Sequence, residues 1–204
     1  MLRDLIENNL SLVTRSPIKD KTLTRAAVVL AVMYKPGEVE SPCFLLTRRA
    51  SKMRKHAGQF ALPGGKVDAG ETVEEAALRE LEEELGISVD SKDILGVLDD
   101  YPTRSGFCIT PVVVWLGEDI TITPSPDEVA KVFHIPLEEL YSDGLVNLEP
   151  GEAPDRPVLS INLNTIGHQV YAPTAAIIYQ FYEAAIKGND TRVAFYDEPI
   201  FAWK

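Results

Sequence analysis

The sequence predicts an α/β or α+β sandwich, in which helices pack against a β-sheet. One helix with strong apolar periodicity occupies residues 72–85, strand-like apolar runs lie on both sides of it, and a second helix is predicted near the C-terminus. There is no internal repeat, no low-complexity segment and no linker long enough to divide the chain. We therefore expect the 204 residues to form one domain, 1–204, with additional segments at both ends.

Apolar periodicity and turn residues predict the elements in order. Residues 1–8 form a short helix, and two strands at 26–34 and 43–48 are separated by the turn-like segment KPGEVESP. The helix Thr72–Leu85 has apolar residues at helical spacing, and Gly86 provides the usual C-terminal stop. The remaining predictions are strands at 94–101, 107–116, 129–135, 157–163 and 168–172, a helical turn begun by Pro136, and a helix over 174–187.

Composition excludes several classes of protein. The net charge of -11 disfavours general binding to nucleic acids or to membrane surfaces, because both are polyanions. The apolar run at 26–34 is too short to span a bilayer, and charged residues interrupt the N-terminus where a secretory signal needs an apolar stretch. Cys43 and Cys108 lie far apart without metal-ligand spacing, which is typical of core thiols in a reducing compartment. We therefore expect a cytoplasmic protein whose anionic ligands meet a local basic patch.

Three glutamates of the predicted helix share one face. Glu80, Glu83 and Glu84 are three or four residues apart and therefore converge on one side of the helix. For a generic glutamate cluster, a solvated acidic face is the first interpretation. The alternative is a site for Mg²⁺ or Mn²⁺, because hard oxygen ligands bind these cations and the cation neutralises the repulsion. Gly64 and Gly65 precede the helix, where they form either a tight turn or a close backbone approach to the site.

The full spacing of this region resembles the Nudix box. Gly65, Glu71, the triplet Arg79-Glu80-Leu81, the pair Glu83-Glu84 and the pair Gly86-Ile87 fill every specified position. The resemblance implies the fold of an α/β/α sandwich with a mixed sheet. It also implies the activity of a Mg²⁺- or Mn²⁺-dependent hydrolase whose substrates are nucleoside diphosphates linked to another moiety.

The same resemblance implies individual roles in the site. Glu80, Glu83 and Glu84 would be metal ligands together with the Gly64 carbonyl, and Glu71 and Arg79 would orient the ligand carboxylates. Arg79 has the alternative of a plain surface ion pair. The general base is either a glutamate of the box or one from a distant loop. Glu128 in PSPDEV resembles that loop acid, with a solvated loop glutamate as the equal alternative.

The segment before the box carries five basic residues among positions 48–55 and no acid. A basic run is usually a solvated loop, but LLTRRASKMRKHAGQFALPGG resembles the signature of the coenzyme A pyrophosphatase branch, with Leu62 in place of an aromatic residue. The resemblance covers about 25–141 and implies hydrolysis of coenzyme A, or its acyl derivatives, to 3',5'-ADP and 4'-phosphopantetheine. Arg49 and Arg54 are the candidates for binding the 3'-phosphate, because arginine binds phosphate oxygens bidentately.

Other regions depart from that branch and leave alternatives open. The stretch YAPTAA replaces the family's Trp-Gly-x-Thr-Ala, and the tail RVAFYDEPIFAWK matches nothing familiar. Its aromatic residues cover a core edge by default, or pack on a second copy in a homodimer, or shape the pocket. The enzymatic alternative is a Nudix hydrolase of ADP-ribose, dinucleotides or nucleoside triphosphates. A nucleotide-sensing module without catalysis is disfavoured, because a sensor does not need the full set of glutamates.

Overall fold

The structure is a computed structural model that describes residues 1–51, 58–118 and 120–202. Arg54 and the tail residue Trp203 therefore lie outside the described residues. The helices are α1 (Leu2–Leu12), α2 (Val73–Leu85) and α3 (Thr174–Phe181), and α3 continues into a π-helical segment, Tyr182–Ile186. The strands are β1 (Thr24–Lys35), β2 (Glu38–Arg49), β3 (Phe60–Ala61), β4 (Gly64–Lys66), β5 (Ile94–Val97), β6 (Tyr101–Pro102), β7 (Phe107–Gly117), β8 (Val129–Pro136), β9 (Val146–Glu149), β10 (Val158–Leu163) and β11 (His168–Tyr171). Short 3₁₀ turns lie at Ser91–Asp93, Leu137–Tyr141 and Ile200–Ala202.

The strands form one large sheet and one small sheet. The large sheet has the order β3-β2-β1-β7-β5, with β4 also paired to β1, β6 to β7 and β8 to β2. Its central pair, β1 and β7, is parallel, whereas the flanking pairs are antiparallel. The sheet is therefore mixed, as the resemblance implied. The small sheet, β11-β10-β9, is antiparallel.

The central strand β1 faces a separate hydrophobic core on each side. Leu30 and Val32 belong to a cluster that includes residues of α1 and α3. The alternate residues Ala31 and Met33 belong to a second cluster that includes the apolar face of α2. Successive side chains of a strand point to opposite faces, so both faces of the sheet are covered by helices. The predicted α/β/α sandwich is confirmed.

Helix α2 begins and ends where its capping residues predict. The Thr72 hydroxyl accepts a hydrogen bond from the Glu75 N–H at 3.1 Å, and the Glu75 carboxylate accepts one from the Thr72 N–H at 2.8 Å. At the other end Gly86 adopts the left-handed conformation, with φ of 66°. These caps fix where the helix begins and ends, and therefore the directions in which its glutamates point.

Several predicted boundaries were wrong. The segment 35–42 is mostly strand, because β2 begins at Glu38 and only a tight turn at 36–37 separates it from β1. The predicted strand 94–101 ends at Val97 and pairing resumes at Tyr101, while α1 extends to Leu12. Strands β3, β4 and β9 were not predicted, because they have only two to four residues and are too short for a clear apolar alternation.

Cys43 and Cys108 are both buried free thiols, in agreement with their prediction as core residues. Among the helices of the described residues, none combines the length and the apolar character needed to cross a bilayer.

Candidate functional site

The three box glutamates differ strongly in exposure. Glu84 is only 3% exposed, and the side chain of Glu80 is 14% exposed. The Glu83 side chain is 58% exposed. A solvated acidic face therefore describes Glu83 but is wrong for Glu84. A carboxylate is rarely buried without compensation, so the environment of Glu84 needs a physical explanation.

Strand β4 brings two glycines against the glutamates. A Cβ on Gly65 would lie less than 3 Å from the Glu80 carboxyl, so a larger residue at this position would displace that side chain. The Gly64 N–H donates a hydrogen bond to the carboxyl of Glu84. Gly65 therefore serves close approach of the backbone to the Glu80 carboxyl, whereas Gly64 serves close approach to β1, because a Cβ there would lie less than 3 Å from Ala27 and Val28.

Arg79 lies at the centre of the acidic face. Its Nε donates to Glu71 Oε1 at 2.9 Å, and its Nη1 donates to Glu80 Oε1 at 2.8 Å and to Glu83 Oε2 at 3.1 Å. Its Nη2 donates to the Lys66 carbonyl at 3.0 Å and to Glu71 Oε2 at 3.1 Å. One guanidinium thus joins three carboxylates and strand β4, which is more than a plain surface ion pair.

The segment between β7 and β8 brings Glu128 close to the C-terminal end of α2. The N–H groups of Thr123 and Ser125 donate to the carbonyls of Leu85 and Glu84, both at 2.8 Å, and so satisfy acceptors at the helix C-terminus. The Glu128 carbonyl accepts a hydrogen bond from the Ala50 N–H, also at 2.8 Å. The exposed Glu128 side chain is close enough for its charge to act on Glu80 and Glu84.

The negative charges of Glu80 and Glu84 are poorly compensated by the neighbouring cations and hydrogen-bond donors. Burial is the main cause that raises the pKa of Glu84 to about 8, and the charges of Glu128 and Glu80 raise it further against the opposing Arg49. Burial also raises the pKa of Glu80, although its hydrogen bond from Arg79 acts in the opposite direction. A bound cation would favour the ionised form of both groups. We refer to Glu80, Glu83, Glu84 and Glu128 as the acidic cup.

The donors of the acidic cup suit a hard divalent cation, since carboxylate oxygens are the ligands that Mg²⁺ and Mn²⁺ prefer. Within the described part of the chain, however, no three Asp, Glu, His or Cys side chains are already arranged as a metal-ligand set. Two of the carboxylates are hydrogen-bonded to Arg79 instead. The residues fit the cation by their chemistry and burial, and Arg79 would have to release two carboxylates to let them bind it.

A cavity of about 530 Å³ adjoins the acidic cup, within the size range of ligand-binding pockets. Arg49 lines it, and the Nε of this side chain is buried without a hydrogen-bond partner among the described residues. The structure thus brings Arg49 together with Glu84, whereas Arg54 lies outside the described residues. The other lining residues used below are Gly64, Gly65, Lys66, Thr103, Ser105, Phe107, Gln169, Tyr171, Ile177, Glu198 and Phe201.

Two cavity residues come from the C-terminal tail, where the sequence suggested core cover by default. Glu198 is 6% exposed and Phe201 is 65% exposed, and both line the cavity. The cluster of aromatic residues in the tail was the available signal. It did not indicate which part of the molecule the tail covers.

Comparison with known proteins agrees with this geometry. Residues 23–160 match the NUDIX domain. A protein from Pectobacterium atrosepticum named "Uncharacterized Nudix hydrolase NudL" is 37% identical over 167 residues, which cover 76% of this chain and 80% of the relative. A NudL from Cronobacter sakazakii is 45% identical over 116 residues, 56% of this chain and 58% of the relative.

The fold comparison gives the same result. The crystal structure of a MutT/nudix family protein from Enterococcus faecalis has a TM-score of 0.58 and 20% sequence identity, and the match covers 85% of this chain and 66% of that one. At this identity the likeness supports the fold alone. Together with the match to the NUDIX domain and the similar relatives, it leads to one conclusion: the chain belongs to the Nudix family and is a Nudix hydrolase.

Proposed function

We propose that this Nudix hydrolase cleaves the diphosphate bond of coenzyme A or its acyl derivatives and releases 3',5'-ADP and 4'-phosphopantetheine. The observation that carries the proposal is the position of Arg49 in the cavity wall beside the acidic cup. Its buried Nε lacks a partner, and a phosphate oxygen is the acceptor that a guanidinium binds best. Arg49 also belongs to the basic segment 45–65, which resembles the coenzyme A branch.

The divalent cation, Mg²⁺ or Mn²⁺, would be held by Glu80, Glu83, Glu84 and the Gly64 carbonyl. When bound, such a cation supplies charge neutralisation for the phosphoryl oxygens and lowers the pKa of bound water. Glu71 and Arg79 orient the carboxylates of Glu80 and Glu83 through the hydrogen bonds described above. Glu128 is exposed at the rim of the acidic cup, where its carboxylate can accept the proton of an attacking water.

The position of Arg49 beside Glu84 indicates which phosphate group it binds. Its charge lowers the pKa of Glu84, so the guanidinium lies near the centre where the diphosphate reacts. We therefore assign Arg49 to the diphosphate and leave Arg54 as the candidate for the 3'-phosphate. The two arginines then have separable effects, because dephospho-coenzyme A lacks only the 3'-phosphate.

A panel of substrates assayed with Mg²⁺ and with Mn²⁺ tests the proposal. Wild-type protein should show a kcat/KM about tenfold or more higher for coenzyme A than for dephospho-coenzyme A, as expected for one charge-assisted contact of roughly 1.5–3 kcal/mol. Arg54→Ala should erase this preference, and Arg49→Ala should lower both values alike. The products should be 3',5'-ADP and 4'-phosphopantetheine.

Other outcomes of the panel point to other functions. Equal or faster cleavage of ADP-ribose, a dinucleotide or a nucleoside triphosphate would contradict the assignment to coenzyme A and favour the broader diphosphatase activity. Nucleotide binding without hydrolysis of any member would indicate a sensor.

A further inference from the structure

Two residues of the C-terminal tail, Glu198 and Phe201, form part of the cavity wall. Arg49 and Lys66 are the cations among the described residues that line the cavity, and Lys66 directly follows Gly64 and Gly65. Phe201 stands against β11, where its ring meets the Tyr171 ring edge-on with centroids 5.2 Å apart, whereas Glu198 contacts the turn between β6 and β7. The described lining of the cavity therefore combines two cationic residues with an anionic and an apolar residue of the tail.

Glu198 has unused hydrogen-bonding capacity. Its Oε1 accepts a hydrogen bond from the Arg104 N–H at 2.8 Å, while Oε2 has no donor among the described residues. The Arg104 side chain is bonded to Asp197 and Glu152 instead. Glu198 is only 6% exposed and lines the cavity, so this second oxygen is open to a hydrogen-bond donor from a ligand.

Neighbouring polar groups of this wall are already satisfied. Tyr171 Oη donates to Gln169 Oε1 at 2.8 Å, and Gln169 Nε2 donates to Ser160 Oγ at 2.6 Å. What these residues add to the wall is mainly apolar surface, continued by Ile177 and Phe201. A ligand group that fits this wall is uncharged, largely apolar and able to donate at least one N–H or O–H hydrogen bond. A phosphorylated group would be repelled by the Glu198 carboxylate.

We propose that Glu198 and Phe201 bind the uncharged arm of the substrate, which is the pantetheine half of coenzyme A, and so determine specificity at the end of the cavity away from the diphosphate. Glu198 accepts a hydrogen bond from an amide N–H or hydroxyl of the arm, and Phe201 covers its apolar part. The 3'-phosphorylated nucleoside then lies on the other side of the diphosphate, outside this wall. The identity of the arm rests on the proposed function.

The test measures binding of the two product halves separately, because binding does not require turnover. 4'-Phosphopantetheine and 3',5'-ADP are titrated by calorimetry into the wild-type protein and three variants, with Mg²⁺ present. Phe201→Ala and Glu198→Gln should each weaken binding of 4'-phosphopantetheine about tenfold and change the Kd of 3',5'-ADP less than twofold. Phe195→Ala is the matched control, since Phe195 is an exposed phenylalanine of the same tail that does not line the cavity.

Each other result overturns the inference. A larger effect on 3',5'-ADP would place the nucleoside against the tail, and unchanged affinities would exclude contact with the tail. Absence of 4'-phosphopantetheine binding to the wild type would exclude the arm altogether. Phe201 is exposed, so its variant stays informative even if Glu198→Gln is unstable. If the predicted binding effects occur but coenzyme A is not cleaved, the proposed function fails while the binding site stands.

Discussion

Glu84 in the acidic cup and Asp100 beside the N-terminal segment are both buried carboxylates, yet their surroundings are opposite. Asp100 is completely buried and accepts hydrogen bonds from Arg15 at 2.5 Å, Arg25 at 3.2 Å and the Thr110 hydroxyl at 2.6 Å. Glu84, 3% exposed, has the Gly64 N–H and the charge of Arg49 on one side and two other carboxylates on the other.

The two pKa values follow these surroundings. Burial acts to raise the pKa of Asp100, but hydrogen bonds from Thr110, Ile18 and Arg25 and the charge of Arg15 outweigh it, so the pKa is lowered. Burial dominates at Glu84 and raises its pKa to about 8. Equal burial therefore has opposite consequences, depending on how many donors and cations face the carboxylate. The difference teaches that Asp100 is compensated within the fold, whereas Glu84 is not and would be compensated by the proposed cation.

Asp99, next to Asp100 in the chain, is a second buried carboxylate that is compensated by hydrogen-bond donors within the fold. It accepts hydrogen bonds from the Ser16 N–H at 2.6 Å, from Gln180 Nε2 at 2.8 Å and from Arg192 at 2.9 Å. Asp99 and Asp100 thus join the N-terminal segment, α3 and the C-terminal segment to the large sheet. Their function is to hold the chain ends on the sheet.

The largest expected effect is on stability, at Asp100. Asp100→Asn removes the charge that faces Arg15 and Arg25, and breaking a buried ion pair costs about 3–5 kcal/mol. Chemical denaturation should show this loss in the free energy of unfolding. The exposed Asp143→Asn serves as control and should change stability by less than about 0.5 kcal/mol. A loss below 1 kcal/mol at position 100 would remove the contrast with Glu84.

The next effect is on activity, in the acidic cup. Glu84→Gln and Glu83→Gln should each lower kcat by on the order of a hundredfold or more, because each removes a ligand charge. Metal-free stability at neutral pH should be higher for Glu84→Gln than for the wild type, because the folded wild type keeps Glu84 largely protonated while its unfolded chain ionises, and Gln does not ionise in either state. Glu82→Gln is the control, because Glu82 is exposed on the same helix at a position that the box leaves unspecified. Turnover near the wild-type value would return the glutamates to a structural role.

The pH dependence of stability should separate the two carboxylates. Without divalent cations, Glu84 stays protonated in the folded protein between its ordinary pKa of 4.5 and about 8, while the unfolded chain ionises. The folded state then binds more protons, so this group makes stability fall as pH rises through that window, by on the order of 5 kcal/mol. The contribution of Asp100, whose pKa is lowered, is present above its ordinary pKa of 3.8 and is lost at lower pH.

Denaturation curves of wild type and Glu84→Gln between pH 5 and 8 measure this contribution as a difference. The slope attributed to Glu84 should be absent from the variant and should shrink in the wild type when Mg²⁺ or Mn²⁺ is added. Parallel pH profiles for the two metal-free proteins would contradict the raised pKa.

The smallest expected effect belongs to Glu128. If its carboxylate accepts the proton of the attacking water, Glu128→Gln should lower kcat about tenfold or more with little change in KM. The neighbouring Asp127→Asn, also exposed, is the matched control. An unchanged rate would move the role of the base to a glutamate of the box.

The sequence by itself determined the elements whose causes are local. The capping residues Thr72 and Gly86 and the apolar spacing between them predicted α2 to within one residue. The spacing of the glycines, the glutamates and Arg79 indicated the Nudix box and with it the fold. These features were readable because helix caps and neighbours on one helix face lie within a few residues of each other.

The tertiary structure alone decided the features that depend on distant partners. The sequence could not show that Glu84 is buried while Glu83 is exposed, because β4 and the segment before β8 cover only one of them. Nor could it show that Asp100 meets Arg15 and Arg25, or that Glu198 turns to the cavity. Burial and charge compensation are set by chain segments that only strand pairing and packing bring together, so neither has a local signature in the sequence.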